Sequence, residues 1–280
     1  MISVVMATYN GEKYIREQLE SILRQDSSVD EIVICDDCSV DRTLEIIYQV
    51  IKDYNAEDLI KVIVNEENIG YVRNFYKALS MVSGDYIFLA DQDDVWLPEK
   101  VRESLAVLKR THAVALCTNS EMVNSKGEKM ALPKEYIVND MLRKDEDYNV
   151  YKLSFNKLIY GNVAQGCTYC LKKEIRDKLL ELNCDLIPHD YQIMLLSSLI
   201  GDALFYNRKL IHYRIHEENT IGFRPPTRDS KKHISRKPVM VRFLEVLNSV
   251  VKVKKNRYYK TLFYLRIPYL RYLVKNKMKR

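Results

Sequence analysis

Tyr86-Ile87-Phe88-Leu89-Ala90-Asp91-Gln92-Asp93-Asp94 decides how this chain is read. An apolar run of five residues reads as a buried strand, and Gly84-Asp85 supplies the turn before it. The strand then runs into three carboxylates within four positions. Side chains alternate in extended chain, so Asp91 and Asp93 can point the same way. Two like charges at one strand end repel unless a cation lies between them, and hard divalent ions such as Mg²⁺ or Mn²⁺ suit oxygen ligands. The same residues also read as a solvated acidic loop ahead of a helix opened by Pro98. The rest of the chain has to choose.

Working outward, strands are predicted at Ile2–Ala7, Glu31–Cys35, Ile60–Val64 and Ala113–Thr118. Helical spacing predicts helices over Glu12–Gln25, from Asp41 to Ile51, over Tyr71–Val82 and over Pro98–Arg110. Strand–helix alternation repeated four times predicts an α/β fold, a Rossmann-like mostly parallel sheet with helices on both faces. Ligands of such sheets bind beyond the carboxyl ends of the strands. Thr8-Tyr9-Asn10, Asp36-Asp37 and Asp91-Gln92-Asp93 all stand at those ends. No G-x-G-x-x-G follows the first strand and no phosphate loop of the G-x-x-x-x-G-K-[ST] kind occurs, so a bound nucleotide would have its phosphates neutralised by a metal.

Beyond Ser120 the pattern loosens. Lys126-Gly127 reads as a hairpin tip and Tyr151–Tyr160 as a short helix. Cys167–Leu171 reads as a strand, with helices at Glu174–Leu182 and Tyr191–Ile200. Leu204–Tyr206 and Leu210–His216 read as a pair of strands.

The composition, 47% hydrophobic and 29% charged over 280 residues, is that of a soluble globular protein. No basic leader opens the chain. Its longest apolar stretch, Ile193–Tyr206, is interrupted by Ser197, Ser198, Gly201 and Asp202, which excludes a span. A cytoplasmic location is expected, at the inner face of the cell membrane if a surface recruits the chain. Cys35/Cys38 and Cys167/Cys170 form two C-x-x-C pairs too far apart in sequence to argue strongly for zinc. Charge is uneven. From Arg224 to Arg280 there are 18 Lys and Arg against two Asp and Glu. That is +16 of a whole-chain +6, leaving −10 for the residues before it, and it puts a boundary after Gly222: a body of residues 1–222 and a basic helical extension of residues 223–280.

Six pieces in order carry a family resemblance: Val4-Val5-Met6-Ala7-Thr8-Tyr9-Asn10, Ile34 to Thr43, Asn68-Ile69-Gly70, Asp91-Gln92-Asp93-Asp94-Val95-Trp96, His189-Asp190-Tyr191, and Tyr213-Arg214-Ile215-His216 with Asn219 and Gly222. The chain resembles the family 2 glycosyltransferases of GT-A fold, in the branch that includes rhamnosyltransferase-like enzymes of surface polysaccharide assembly. It departs from the family at Ala7, where proline is usual, and at Cys38, where glycine is common. The Gln-x-x-Arg-Trp motif of processive synthases is absent, which implies single additions.

The resemblance implies transfer of one sugar, with inversion, from a UDP- or dTDP-sugar to a saccharide or lipid-linked acceptor, assisted by Mn²⁺ or Mg²⁺. It makes Asp93 a direct metal ligand and places Asp91 at the metal, nearer the ribose or a bound water. His216 becomes a third ligand and Asp190 the general base, whose competing reading is a helix N-cap. Asp37, beside Asp36, is expected to accept the imide N–H of the base, with Thr8 and Asn10 against it, the competing reading being an Asx turn with Ser39. Arg73 and Arg214 are candidates to offset pyrophosphate charge. Met240, Phe243, Leu244, Leu247, Val250 and Val251 fall at helical spacing among basic residues, a pattern of contact with an anionic membrane surface or of packing on the body. Nucleic acid is not an expected partner, because no recognition motif is present. A metal-dependent nucleotidyl- or phosphotransferase and a non-catalytic membrane-docked scaffold are the competing classes.

Overall fold

In a computed structural model, residues 1–131, 149–158, 162–217, 219 and 236–251 are described. The alternation expected of the first half is present. It runs β1 (Ile2–Thr8), α1 (Ile15–Leu23), β2 (Glu31–Asp36), α2 (Thr43–Asp53), β3 (Ile60–Val64), α3 (Tyr71–Met81) and β4 (Tyr86–Asp91). There follow β5 (Val95–Trp96), α4 (Lys100–Thr111), β6 (Ala115–Val123), β7 (Val150–Leu153), α5 (Phe155–Leu158), β8 (Tyr169–Lys172), α6 (Lys173–Leu182), α7 (His189–Ile200), β9 (Ala203–Arg214) and α8 (Arg236–Val250).

The strands form one mixed sheet in the order β3-β2-β1-β4-β8-β6-β9-β5, with β7 on β9. β1 pairs in parallel with β2 and β4, and the registers Ala7↔Asp91 and Thr8↔Asp36 bring three strand ends level. Period-two alternation divides the core. Val5, Val33, Ile87 and Leu89 face α3, α6 and α7, while Val4, Ile32, Phe88 and Ala90 face α1, α2 and α4. Helices thus cover both faces, the arrangement of a GT-A-type α/β sandwich.

Three details differ from the sequence reading. β8 is antiparallel and lies between β4 and β6, with Phe88 opposite Cys170 and Leu116 opposite the same cysteine. Continuing that register brings Cys167, in the single 3₁₀ turn Gly166–Thr168, beside the end of β4. The two strands expected at 204–206 and 210–216 are one strand, β9, whose pairing with β6 shifts register around Asn119. The polar Asn207-Arg208-Lys209 step is an irregularity in a continuing strand rather than a turn. The expected helix 151–160 is β7 followed by the one-turn α5, with 159–161 outside the described residues.

The first tail helix packs on the body. Phe243, Leu244 and Leu247 of α8 are buried in the same core as Ile175 and Leu179 of α6. Its apolar stripe is therefore occupied by protein. The basic residues after Val251 lie outside the described residues. Among the described residues, no helix is long and apolar enough to cross a membrane.

Candidate active site

The first group of expected residues sits where β1 and β2 end. Thr8 Oγ1 donates to Asp36 Oδ2 at 2.7 Å, and Ser39 donates to Asp36 through its N–H at 2.8 Å and its hydroxyl at 2.6 Å. This is the Asx turn of the competing reading, formed by Asp36. Asn10, at φ 48, accepts the Val40 N–H and gives its own N–H to Ser39 Oγ. Asp37 takes three donors: Asn65 Nδ2 at 2.8 Å and the Ile69 and Gly70 N–H groups at 2.9 Å each. A carboxylate offers about four lone-pair positions, so Asp37 keeps about one for a base. Its main work is to tie the Asn68-Ile69-Gly70 loop to β2. Gln92 clasps this edge to β4, accepting the Tyr9 N–H and donating to the Tyr9 carbonyl. A Cβ at Gly11 would come 2.4 Å from Gln92 Oε1, so glycine is required for that clasp.

The second group lies at the end of β4 and is bound very differently. Burial and the neighbouring charges of Asp93 and Asp190 push Asp91 up to about 7. Asp93 Oδ2 faces His216 Nε2 at 2.8 Å and accepts Asn219 Nδ2 at 3.0 Å. Asp94, fully buried, accepts the Arg214 N–H on Oδ1, while its Oδ2 has no hydrogen-bond partner and the Cys167 thiol lies beside the carboxyl group. Burial first, and then Asp93 and Asp91, hold Asp94 well above the ordinary carboxylate range. Donor atoms of Asp91, Asp94 and Cys167 lie within 4.8 Å of one another. Behind them the fully buried Lys100 donates to the Cys167 carbonyl at 3.3 Å and sits 4.9 Å over the Trp96 ring. Burial lowers its ammonium to about 8.

Asp190 enters from the first turn of α7. Pro188 occupies the capping position and no side chain caps the helix, so Asp190 is not its N-cap. Its Oδ1 accepts the Tyr191 N–H and its Oδ2 accepts Asn162 Nδ2, both at 2.7 Å. Burial nevertheless raises it to about 6, against those two bonds. Its charge also acts on Asp91, which places both carboxylates in one field. His189 beside it is stacked on Phe75 at 3.9 Å with both ring nitrogens unpartnered, and desolvation lowers it to about 3.

Two residues expected at the phosphates have protein partners in this structure. Arg214 is 2% exposed; it donates to the Asp93 carbonyl at 2.8 Å and to Glu17 at 2.6 Å, and lies 4.7 Å over the Tyr14 ring. The period-two rule put Arg214 beside His216 but had no means of finding Glu17 on α1. Arg73 pairs with Asp185 at 2.7 Å on the surface, across 112 residues of sequence. Lys100, Asn162 and the site role of Cys167 are what residue-type reasoning missed, while Asp94 and Asn219 stood in the quoted motifs without an assigned role. Asp94 had a local signal in its place in the acidic run, and Asn219 in its place after His216.

Acids, a histidine and a polar loop thus gather at the carboxyl edge of a parallel-centred sheet. The model of the family described as Glycosyl transferase family 2 matches residues 3–174. The dTDP-rhamnosyl transferase RfbG of Shigella flexneri is 30% identical over 229 residues, which cover 78% of this chain and 73% of that protein. The chain therefore belongs to glycosyl transferase family 2, and it is an enzyme that transfers sugars; the phosphotransferase and scaffold readings fall away. Its fold is like that of Staphylococcus aureus TarS residues 1–349 in complex with UDP, with a TM-score of 0.63 at 19% identity over 92% of this chain and 68% of that one. It is also like the mannosyltransferase PcManGT of Pyrobaculum calidifontis in complex with GDP-Man and Mn²⁺, with a TM-score of 0.59 at 15% identity over 89% and 73%.

A divalent cation fits the residues present. Asp91, Asp93 and His216 are oxygen and imidazole donors of the kind Mn²⁺ takes. The surplus of underpaired carboxylate, with Asp94 Oδ2 orphaned, is a charge arrangement that such an ion would relieve.

Proposed function

We propose that the enzyme is inverting and metal-dependent, moving one sugar from a UDP- or dTDP-sugar to a saccharide or lipid-linked acceptor in surface polysaccharide assembly. The observation that carries this reading is Asp190, a raised carboxylate at the same sheet edge as Asp91 and Asp93. The dTDP donor is supported by the name of the Shigella relative, and UDP by the ligand of the TarS neighbour.

The acceptor hydroxyl oxygen attacks the anomeric carbon while the bond from that carbon to the diphosphate breaks. The hydroxyl proton goes to Asp190 and the bonding electrons leave with the diphosphate. With its carboxyl near 6, Asp190 is ionised at neutral pH and a better base than an ordinary aspartate. One in-line displacement inverts the anomeric centre. Asp91, Asp93 and His216 would hold Mn²⁺ or Mg²⁺, which when bound supplies positive charge to the departing phosphates. Thr8, Asn10 and the loop tied by Asp36 and Asp37 form the edge against which the base lies. The eleven Lys and Arg after Val251, with no Asp or Glu among them, keep the enzyme at the inner, anionic face of the cell membrane near a lipid-linked acceptor.

Asp190→Asn tests the base directly. Transfer should fall by about 10²–10⁴-fold with donor binding retained. A variant that transfers at the wild-type rate overturns the assignment.

A further inference from the structure

We infer that Asn162 is a positioning residue for the Asp190 carboxylate and that Tyr169 sets the Asn162 amide; this rests on Asp190 being the base. Asn162 lies in the stretch before the 3₁₀ turn and has no helix or strand of its own to fix it. Its amide is nonetheless fixed by chemistry. Oδ1 accepts the Tyr169 hydroxyl at 2.6 Å and the Val163 N–H at 3.0 Å, which fills both carbonyl lone pairs. Only the other orientation-defining group, Nδ2, is left to face Asp190, and it does so at 2.7 Å. A flipped amide would set oxygen against the carboxylate and nitrogen against two donors.

Tyr169 is itself fully buried at the start of β8, between β4 and β6, so the amide is referenced to the sheet that carries Asp91. The second Asp190 oxygen, Oδ1, is held by the Tyr191 N–H at 2.7 Å. Each oxygen thus has one donor and keeps a lone pair, and turning the carboxylate breaks both bonds. Gly166 suits the arrangement: a Cβ there would stand 3.1 Å from Asp190 Cβ, closer than ordinary contact, so a larger residue would push Asp190 by a few tenths of an ångström. A base that must take a proton in a defined direction needs such support, because small displacements of a catalytic group cost rate rather than binding.

The experiment uses the full chain and measures kcat and donor KM separately. Asn162→Leu keeps the approximate shape and removes both the donor and the acceptor. Its kcat should fall about tenfold or more, the loss of one charge-assisted bond, with donor KM within about twofold. Tyr169→Phe deletes one oxygen and should lower kcat by about threefold, again without moving KM. Because that variant removes no packing volume, it keeps the test alive if Asn162→Leu does not fold. In the Asp190→Asn background, neither change should cost further rate. Wild-type kcat in both variants, or equal losses in kcat and in donor affinity, overturns the inference. If Asp190→Asn is inactive while Asn162→Leu turns over normally, only the positioning role fails. An active Asp190→Asn removes the base itself.

Discussion

Two sets of aspartates meet at the same sheet edge and are treated in opposite ways. Asp36, which ends β2, and Asp37 after it are each held by three hydroxyl, amide or backbone N–H donors. Asp91 and Asp94, at and after β4, are crowded against each other and short of donors, and both are pushed up by burial and by like charge. Fully paired carboxylates are building material, since they fold a loop and keep it. Underpaired carboxylates in one field are destabilising to the empty protein, and they persist where a ligand supplies the missing positive charge.

That contrast breaks most visibly in activity. Asp91→Asn should lower transfer by about 10²–10³-fold at fixed Mn²⁺, because a bound cation contributes several kcal/mol to the departing charge. The same variant should be more stable than wild type at pH 8, by about 2 kcal/mol in a calorimetric comparison. A carboxyl raised in the folded state costs stability as pH climbs from its ordinary value to about 7, the cost is complete at pH 8, and the amide removes it. Wild-type activity, or a loss of stability, would place Asp91 with the paired set. Asp37→Ala should do the reverse. It strands the Ile69 N–H and leaves Asn65 Nδ2 only Asn74 Oδ1 and the Gly70 N–H only Asn68 Oδ1, and should lower stability by about 2 kcal/mol in urea unfolding.

Arg214→Met separates its two readings. With Glu17, the Asp93 carbonyl and the Tyr14 ring all losing a partner, stability should drop by about 2 kcal/mol while donor affinity is unchanged. Weaker donor binding at full stability would return Arg214 to the phosphates. The smallest effect belongs to His189. Its folded pKa is depressed, so the unfolded chain binds the extra proton. The stability its neutral ring contributes is present above about 6.5 and is lost as pH falls toward 3, by about 1.4 kcal/mol per pH unit. His189→Leu should flatten that slope, read from melting temperatures between pH 7 and pH 5.

The parts of this molecule written as local patterns were legible in the sequence. β3 begins and ends at the expected residues, and β1, β2 and α3 come within one residue of theirs, because uninterrupted apolar runs and helical spacing are short-range signals. The placement of β8 between β4 and β6 was not legible, since an antiparallel insertion depends on pairings about 80 residues apart. At the site, Asp93 and His216 were expected from the resemblance to share a metal, and the structure sets them 2.8 Å apart. Asn162 and Lys100 were invisible because their roles come from what the fold brings to them: Tyr169 and Asp190 for one, Cys167 and Trp96 for the other. For Arg214 the charge was countable in the sequence and its partner Glu17, 197 residues away, was not.

The account depends on the crowded carboxylates at the end of β4 being the seat of a cation that carries a nucleoside diphosphate. Calorimetric titration of UDP and of dTDP into the full chain, with and without Mn²⁺, tests this most directly. The account predicts that at least one diphosphate binds at least about tenfold more tightly with Mn²⁺ present and that Asp91→Asn abolishes the difference. Equal affinity with and without the ion, or a Mn²⁺ effect that survives Asp91→Asn, would contradict it.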